Sequence, residues 1–106
     1  MEFSQLQNRA IAVMNQYIQL NQQVGRPAWT AAEYLQAFVG DVGDLTKLIM
    51  AKNNFRTIPD YEEKLGHELS DCLWAICVLA KQLNIDLEIE FQKTMEQIEK
   101  KITAQA

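Results

Sequence analysis

The chain has no run of lysine or arginine longer than Lys100-Lys101, and its formal net charge is −4. Binding to polymeric nucleic acid usually rests on a basic patch, so that class of partner is disfavoured. A nucleotide stays open as a ligand, because its phosphates can be held through bound metal. Cysteine is scarce, with Cys72 and Cys77 the only two. They stand five apart in one predicted helix, point in different directions and are poorly placed to bridge each other. Apolar neighbours surround both, which reads as buried free thiols in a reducing compartment. Met1-Glu2-Phe3-Ser4 offers no basic region followed by an apolar run, so no secretory signal is read there. No uninterrupted apolar segment is long enough to span a membrane. These absences together lead to the expectation of a cytoplasmic protein with neither a nucleic-acid polymer nor a membrane as partner.

Clean period-two alternation, repeats, low-complexity tracts and linkers are also missing, so the 106 residues read as one all-helical domain, 1–106. Hydrophobic residues make up 48% and charged residues 23%, ordinary values for a globular chain. A domain of this size leaves roughly a third of its unfolded-state surface exposed. Some apolar helix surface is therefore expected to lie under a second subunit, in a homodimer or homotetramer.

Four helices follow from capping and periodicity. Helix one is expected from Ser4, with Gln7 in capping-box spacing, and carries Leu6, Ala10, Val13, Met14 and Tyr17 as its apolar stripe. Gly25-Arg26-Pro27 breaks the chain. Helix two starts at Thr30, with Glu33 completing a second capping box. Its apolar face is expected to be Leu35, Phe38, Val42, Leu45 and Ile49, and Asn53-Asn54 ends it. Helix three starts at Asp60, with Glu63 in cap spacing, and is apolar on nearly all sides from Cys72 to Ala80. Asn84 stops it. Helix four starts at Asp86 with the stripe Leu87, Phe91, Met95, Ile98 and Ile102. Glu88 and Glu90 near its start, and Lys100 and Lys101 near its end, suit the helix dipole. The expected architecture is an all-α, four-helix bundle-type domain.

Two carboxylate pairs interrupt these apolar helices, Asp41-x-x-Asp44 and Glu68-x-x-Asp71. Residues three apart share a helix face, so two packed helices would converge four acids on one spot. Such acids repel unless they bind a cation or take up protons, and Mg²⁺ prefers oxygen ligands of this kind. The first pair sits in Gly40-Asp41-Val42-Gly43-Asp44. Each glycine weakens a helix by about 1 kcal/mol relative to alanine, and close approach of a helix or ligand to the backbone would account for them.

Other candidates are weaker. His67, the only histidine, adjoins Glu68 and is expected to face elsewhere on the helix, solvated or in the core. Lys47, Lys52, Arg56, Lys64 and Lys93 can reach a phosphate or serve as ordinary surface cations. Trp29 and Trp74 can stack on a base, although core packing is the commoner use of tryptophan.

The run Val39-Gly40-Asp41-Val42-Gly43-Asp44-Leu45 carries a resemblance further. So do Lys64-Leu65-Gly66-His67-Glu68-Leu69-Ser70-Asp71-Cys72-Leu73-Trp74, Leu79-Ala80 and Asn84-Ile85-Asp86-Leu87-Glu88. Across roughly residues 29 to 100 the chain resembles the MazG-like nucleotide pyrophosphohydrolases, all-α enzymes marked by an E-x-x-E helix followed by an E-x-x-D helix. The resemblance implies a helical bundle working as a dimer or dimer of dimers. It implies cleavage of a nucleoside triphosphate, often a deoxynucleotide or a noncanonical one, to monophosphate and pyrophosphate, with Mg²⁺ or Mn²⁺. Asp41 and Asp44 stand where the family has two glutamate ligands, and Glu68 and Asp71 match their counterparts unchanged. Three departures stand out. Both first-helix acids are one methylene shorter, Gly40 replaces a further glutamate of many members, and Gln97 replaces a common asparagine.

On this basis the metal ligands are expected to be Asp41, Asp44, Glu68 and Asp71. Glu68 is the expected base that orients or deprotonates the attacking water. Two other readings stay open, a nucleotide-binding module without efficient hydrolysis and a helical-bundle adaptor with solvated acids. A di-iron bundle ranks last, since its Glu-x-x-His pairs are absent from both acidic motifs.

Overall fold

Three helix ends close the same way, and they set the chain's turns. The computed structural model describes residues 1–105, in which α1 spans Phe3–Gln23, α2 Ala31–Lys52, α3 Tyr61–Gln82 and α4 Leu87–Gln105, with no strand among the described residues. After each of α1, α2 and α3 one residue turns left-handed: Gly25 (φ 71°), Asn54 (φ 66°) and Asn84 (φ 56°). At each end two backbone amides reach back, as where Asn84 N–H donates to the Lys81 carbonyl and Ile85 N–H to that of Ala80. This paired arrangement satisfies carbonyls that the helix leaves orphaned. Asparagine tolerates the conformation, and glycine adopts it freely.

The helix starts are less uniform. Thr30 caps α2 as expected: its Oγ1 accepts from Ala32 N–H at 3.3 Å, and its own N–H donates to Glu33 Oε1 at 3.1 Å. The Thr30 N–H and the Thr30 hydroxyl, which donates to Glu33 Oε2 at 2.9 Å, hold the Glu33 carboxyl below its ordinary pKa. The first helix begins two residues earlier than expected. Glu2, not Ser4, is its cap, and Glu2 N–H donates to Gln5 Oε1 at 2.8 Å. Asp60 precedes α3 with a left-handed backbone (φ 55°) and no side-chain cap bond, so the expected Asp60–Glu63 box does not form. Glu62 and Glu63 still place negative charge on that first turn. Asp86 caps α4 by accepting from Ile89 N–H at 3.2 Å. The fourth helix continues through Gln105, so Lys100 and Lys101 lie before its last turn.

The largest contact is between α2 and α3, and α1 packs on α3. Along α2 the residues turned inward include Tyr34, Phe38, Asp41, Leu45 and Leu48; along α3 they include Tyr61, Leu65, Glu68, Cys72, Ala75 and Leu79. Both series step by alternating fours and threes, the spacing of a helix–helix seam. The buried face of α2 is therefore turned away from the expected one. Phe38 and Leu45 are half-buried, but Leu35, Val42 and Ile49 are exposed.

The core lies at the other end of the seam, around Met14, Tyr34 and Val78, with Ile11, Ile18, Trp74 and Leu79 against it. Trp74 Nε1 donates to the Ala10 carbonyl at 3.0 Å, tying α3 to α1. Tyr34 meets Trp74 edge-on at 6.2 Å between ring centres, and Trp29 meets Tyr34 at 5.3 Å. Cys77 is fully buried, Cys72 is partly buried, and both are free thiols.

Much apolar surface stays uncovered. Leu35, Val39, Val42 and Ile49 form an open face on α2, and Leu69, Leu73, Ile76 and Leu83 form one on α3. The fourth helix buries no residue and touches the rest of the chain sparsely. The radius of gyration is 17.1 Å, against about 13 Å for a compact chain of this length.

Candidate metal centre

Asp41 and Glu68 occupy seam positions that a helix pair ordinarily fills with apolar side chains. Their neighbours at three-residue spacing, Asp44 and Asp71, follow on the same faces. Asp41, Asp44 and Glu68 each bring a carboxylate oxygen into a group whose ligand atoms all lie within 4.8 Å of one another. A second such group joins His67, Glu68 and Asp71. The two groups overlap at Glu68, and between them they take in all four acids.

Electrostatics record the crowding. Partial burial raises the Glu68 carboxyl above its ordinary pKa, and Asp71, Asp41 and Asp44 raise it further, with His67 opposing. Burial likewise raises Asp41, helped by Asp71 and Asp44. Cys72, one residue beyond Asp71, is raised by burial and then by Asp41, Glu68 and Asp71. One oxygen of Glu68, Oε2, is shielded from solvent and has no hydrogen-bond partner. A dication supplies what that oxygen lacks, and an all-oxygen donor set suits a hard one such as Mg²⁺. The residues present therefore fit a metal.

Beside the acids opens a cleft of about 530 Å³. Asp44, His67 and Glu68 border it on one side; Lys47, Glu63 and Lys64 add charge, and Leu48 and Ile58 add apolar surface. Of the expected phosphate-binding cations, the cleft brings Lys47 and Lys64 to the acids. Lys52, Arg56 and Lys93 do not line it, and Lys93 Nζ lies 3.6 Å from Glu90 Oε1 within α4. Trp74 packs against the core and the exposed Trp29 meets Tyr34 edge-on, and neither lines the cleft.

Two expectations are corrected here. His67 does not face elsewhere: its Nε2 lies 3.1 Å from Asp71 Oδ2, and its ring lines the cleft. Its adjacency to Glu68 was a poor guide, whereas its four-residue spacing to Asp71 was the signal that places both on one face. Gly40 and Gly43 are not explained by close approach within this chain, since a Cβ built at either meets no atom within 4 Å.

No curated protein and no solved structure matches the chain. A family model does. The MazG nucleotide pyrophosphohydrolase domain matches residues 30–105, from the Thr30 cap through both acidic motifs to the end of α4. Helix order, acidic pairs and sequence match agree, and the chain belongs to the MazG nucleotide pyrophosphohydrolase family.

Proposed function

We propose that this chain hydrolyses nucleoside triphosphates, deoxy or noncanonical ones among them, to monophosphate and pyrophosphate, with Mg²⁺ (or Mn²⁺ in its place) as cofactor. The observation that carries the reading is the convergence of Asp41, Asp44 and Glu68 between packed helices beside an open cleft. Asp41, Asp44, Glu68 and Asp71 hold the metal. When bound, the metal supplies charge neutralisation for the triphosphate oxygens and the leaving pyrophosphate. Glu68, with its second oxygen unpaired, orients the water for in-line attack on the α-phosphorus and takes its proton. Lys47 and Lys64, at the cleft, draw in the outer phosphates. Lys52, Arg56 and Lys93 remain candidates for the substrate's periphery, as Trp29 and Trp74 do for its base.

The open apolar faces of α2 and α3 and the uncovered α4 support a homodimer or homotetramer. Faces of this extent on a monomer mark interaction surfaces.

Purified protein is to be assayed for pyrophosphate release from a panel of nucleoside triphosphates with Mg²⁺. We expect release from at least one substrate, abolished by a chelator, in a preparation that sediments as a dimer or larger. Metal-dependent nucleotide binding without product would move the chain to a binding module. Absence of both would sink the enzymatic reading, and a monomer at working concentration would sink the assembly.

A further inference from the structure

The proposed reaction uses four carboxylates and leaves His67 without a task. Among the described residues those acids have one ion-pair partner between them: His67 Nε2 lies 3.1 Å from Asp71 Oδ2, and no lysine or arginine pairs with any of the four. The helix offers His67 two carboxylates at four-residue spacing, Glu63 before it and Asp71 after it, and spacing alone favours neither. The ring pairs with Asp71, the one that belongs to the acidic cluster. Ser70 does not compete for Asp71, since its hydroxyl donates to the Gly66 carbonyl at 2.8 Å. The His67 side chain is 73% exposed, so the pair contributes little to stability. Its effect falls on where the Asp71 carboxylate is held.

A free carboxylate turns about its last bond and can offer a metal either oxygen or both. Ligating carboxylates are held by hydrogen bonds from groups outside the ligand set, and losing such a bond costs about 10–100-fold in metal affinity. A ring nitrogen this close to a carboxylate carries its proton toward it, in the neutral imidazole and in the cation alike. The bond therefore does not depend on the charge of the ring. We propose that His67 is a positioning residue: it donates from Nε2 to Asp71 Oδ2, holds that carboxylate in one orientation and leaves its other oxygen for the cation. The inference rests on reading the acidic cluster as a metal centre. His67 itself is neither a metal ligand nor a contact of the substrate.

The test compares the full chain with its His67→Ala and His67→Gln variants. A glutamine amide still donates to an aspartate four residues on, and alanine does not. Each protein is stripped of metal by a chelator and titrated with Mg²⁺ by calorimetry. The expected result is a loss of Mg²⁺ affinity of about tenfold or more in His67→Ala, most of it restored in His67→Gln. In turnover assays His67→Ala should need correspondingly more Mg²⁺ for half-maximal rate, while kcat at saturating Mg²⁺ and the nucleotide KM stay near wild type. His67 is largely exposed, so both variants should fold, and circular dichroism checks that they do. Unchanged Mg²⁺ affinity in His67→Ala, or an equal loss in both variants, overturns the positioning role and leaves the metal centre standing. So does a raised nucleotide KM at unchanged Mg²⁺ affinity, which would make His67 a substrate contact. Failure of the wild type to bind Mg²⁺ overturns the metal centre and this inference with it.

Discussion

Glu68→Gln is expected to lower pyrophosphate release by about 10²–10⁴-fold while making the metal-free protein melt at a higher temperature. Both effects follow from where Glu68 sits. It stands in the α2–α3 seam, partly buried, in the field of Asp71, Asp41 and Asp44. The amide removes one negative charge from that crowd and brings an N–H donor to face the remaining carboxylates. The activity loss follows from the loss of a base and a metal ligand together. The sign of the pH dependence is fixed by the same charges. Glu68 and Asp41 have folded pKa values raised above their unfolded ones. Their contribution to stability is full below the ordinary carboxylate range and is lost as pH rises through the raised values. The metal-free wild type should therefore lose melting temperature as pH rises out of the ordinary carboxylate range, and Glu68→Gln should flatten that slope. Mg²⁺ should reverse the deficit at neutral pH, because a ligand that binds only the native state stabilises it, by about 2.7 kcal/mol at a hundredfold excess over Kd. Differential scanning calorimetry with and without Mg²⁺ reads all three. Unchanged turnover in Glu68→Gln would remove the residue from the mechanism, and a lower metal-free melting temperature would refute the repulsion argument.

Trp74→Ala should cost about 3–5 kcal/mol, which lowers the melting temperature by more than about 10 °C in a domain of this size. Trp74 is the side chain that holds α1 on α3. Its indole donates to the Ala10 carbonyl and packs against the Met14–Tyr34–Val78 cluster, with Tyr17 and Tyr34 at its edges. Truncation removes the packing and leaves a cavity. Trp74→Phe keeps a ring and gives up the hydrogen bond, worth about 1 kcal/mol, so it should fold with a smaller loss. Steady-state kinetics on Trp74→Phe then separate two uses of this residue. A lower melting temperature with unchanged KM fits a core role. A raised KM with little thermal change would return Trp74 to the substrate's base.

The helices were legible in the sequence because their boundaries are chemical. The Thr30–Glu33 box and the two asparagines after α2 and α3 each satisfy backbone groups that a helix end leaves open. The rotation of α2 was not legible. Its hydrophobic residues are numerous enough to draw two stripes, and only the position of α3 decides that Tyr34, Phe38, Leu45 and Leu48 turn inward. That choice carries Asp41 into the seam, where an isolated helix gives no reason to put it. The acidic pairs were visible as pairs, yet the approach of Asp41 and Asp44 to Glu68 depends on how α2 packs on α3. His67 was misjudged because neighbours in sequence diverge on a helix by about 100°, which argues against Glu68 but says nothing against Asp71. The site's lysines divided by distance from the cleft, which no spacing along one helix encodes.

The α2–α3 seam also orders events in time. These two helices are consecutive in the chain and make its largest contact, so they close with little loop entropy, whereas α1 must return across α2 to reach α3. A pair that closes early already assembles Asp41 with Glu68. An ion taken up there should act on the folding limb, and damage at the α1–α3 junction chiefly on unfolding. Metal added during refolding is therefore expected to speed folding, and Trp74→Phe to speed unfolding.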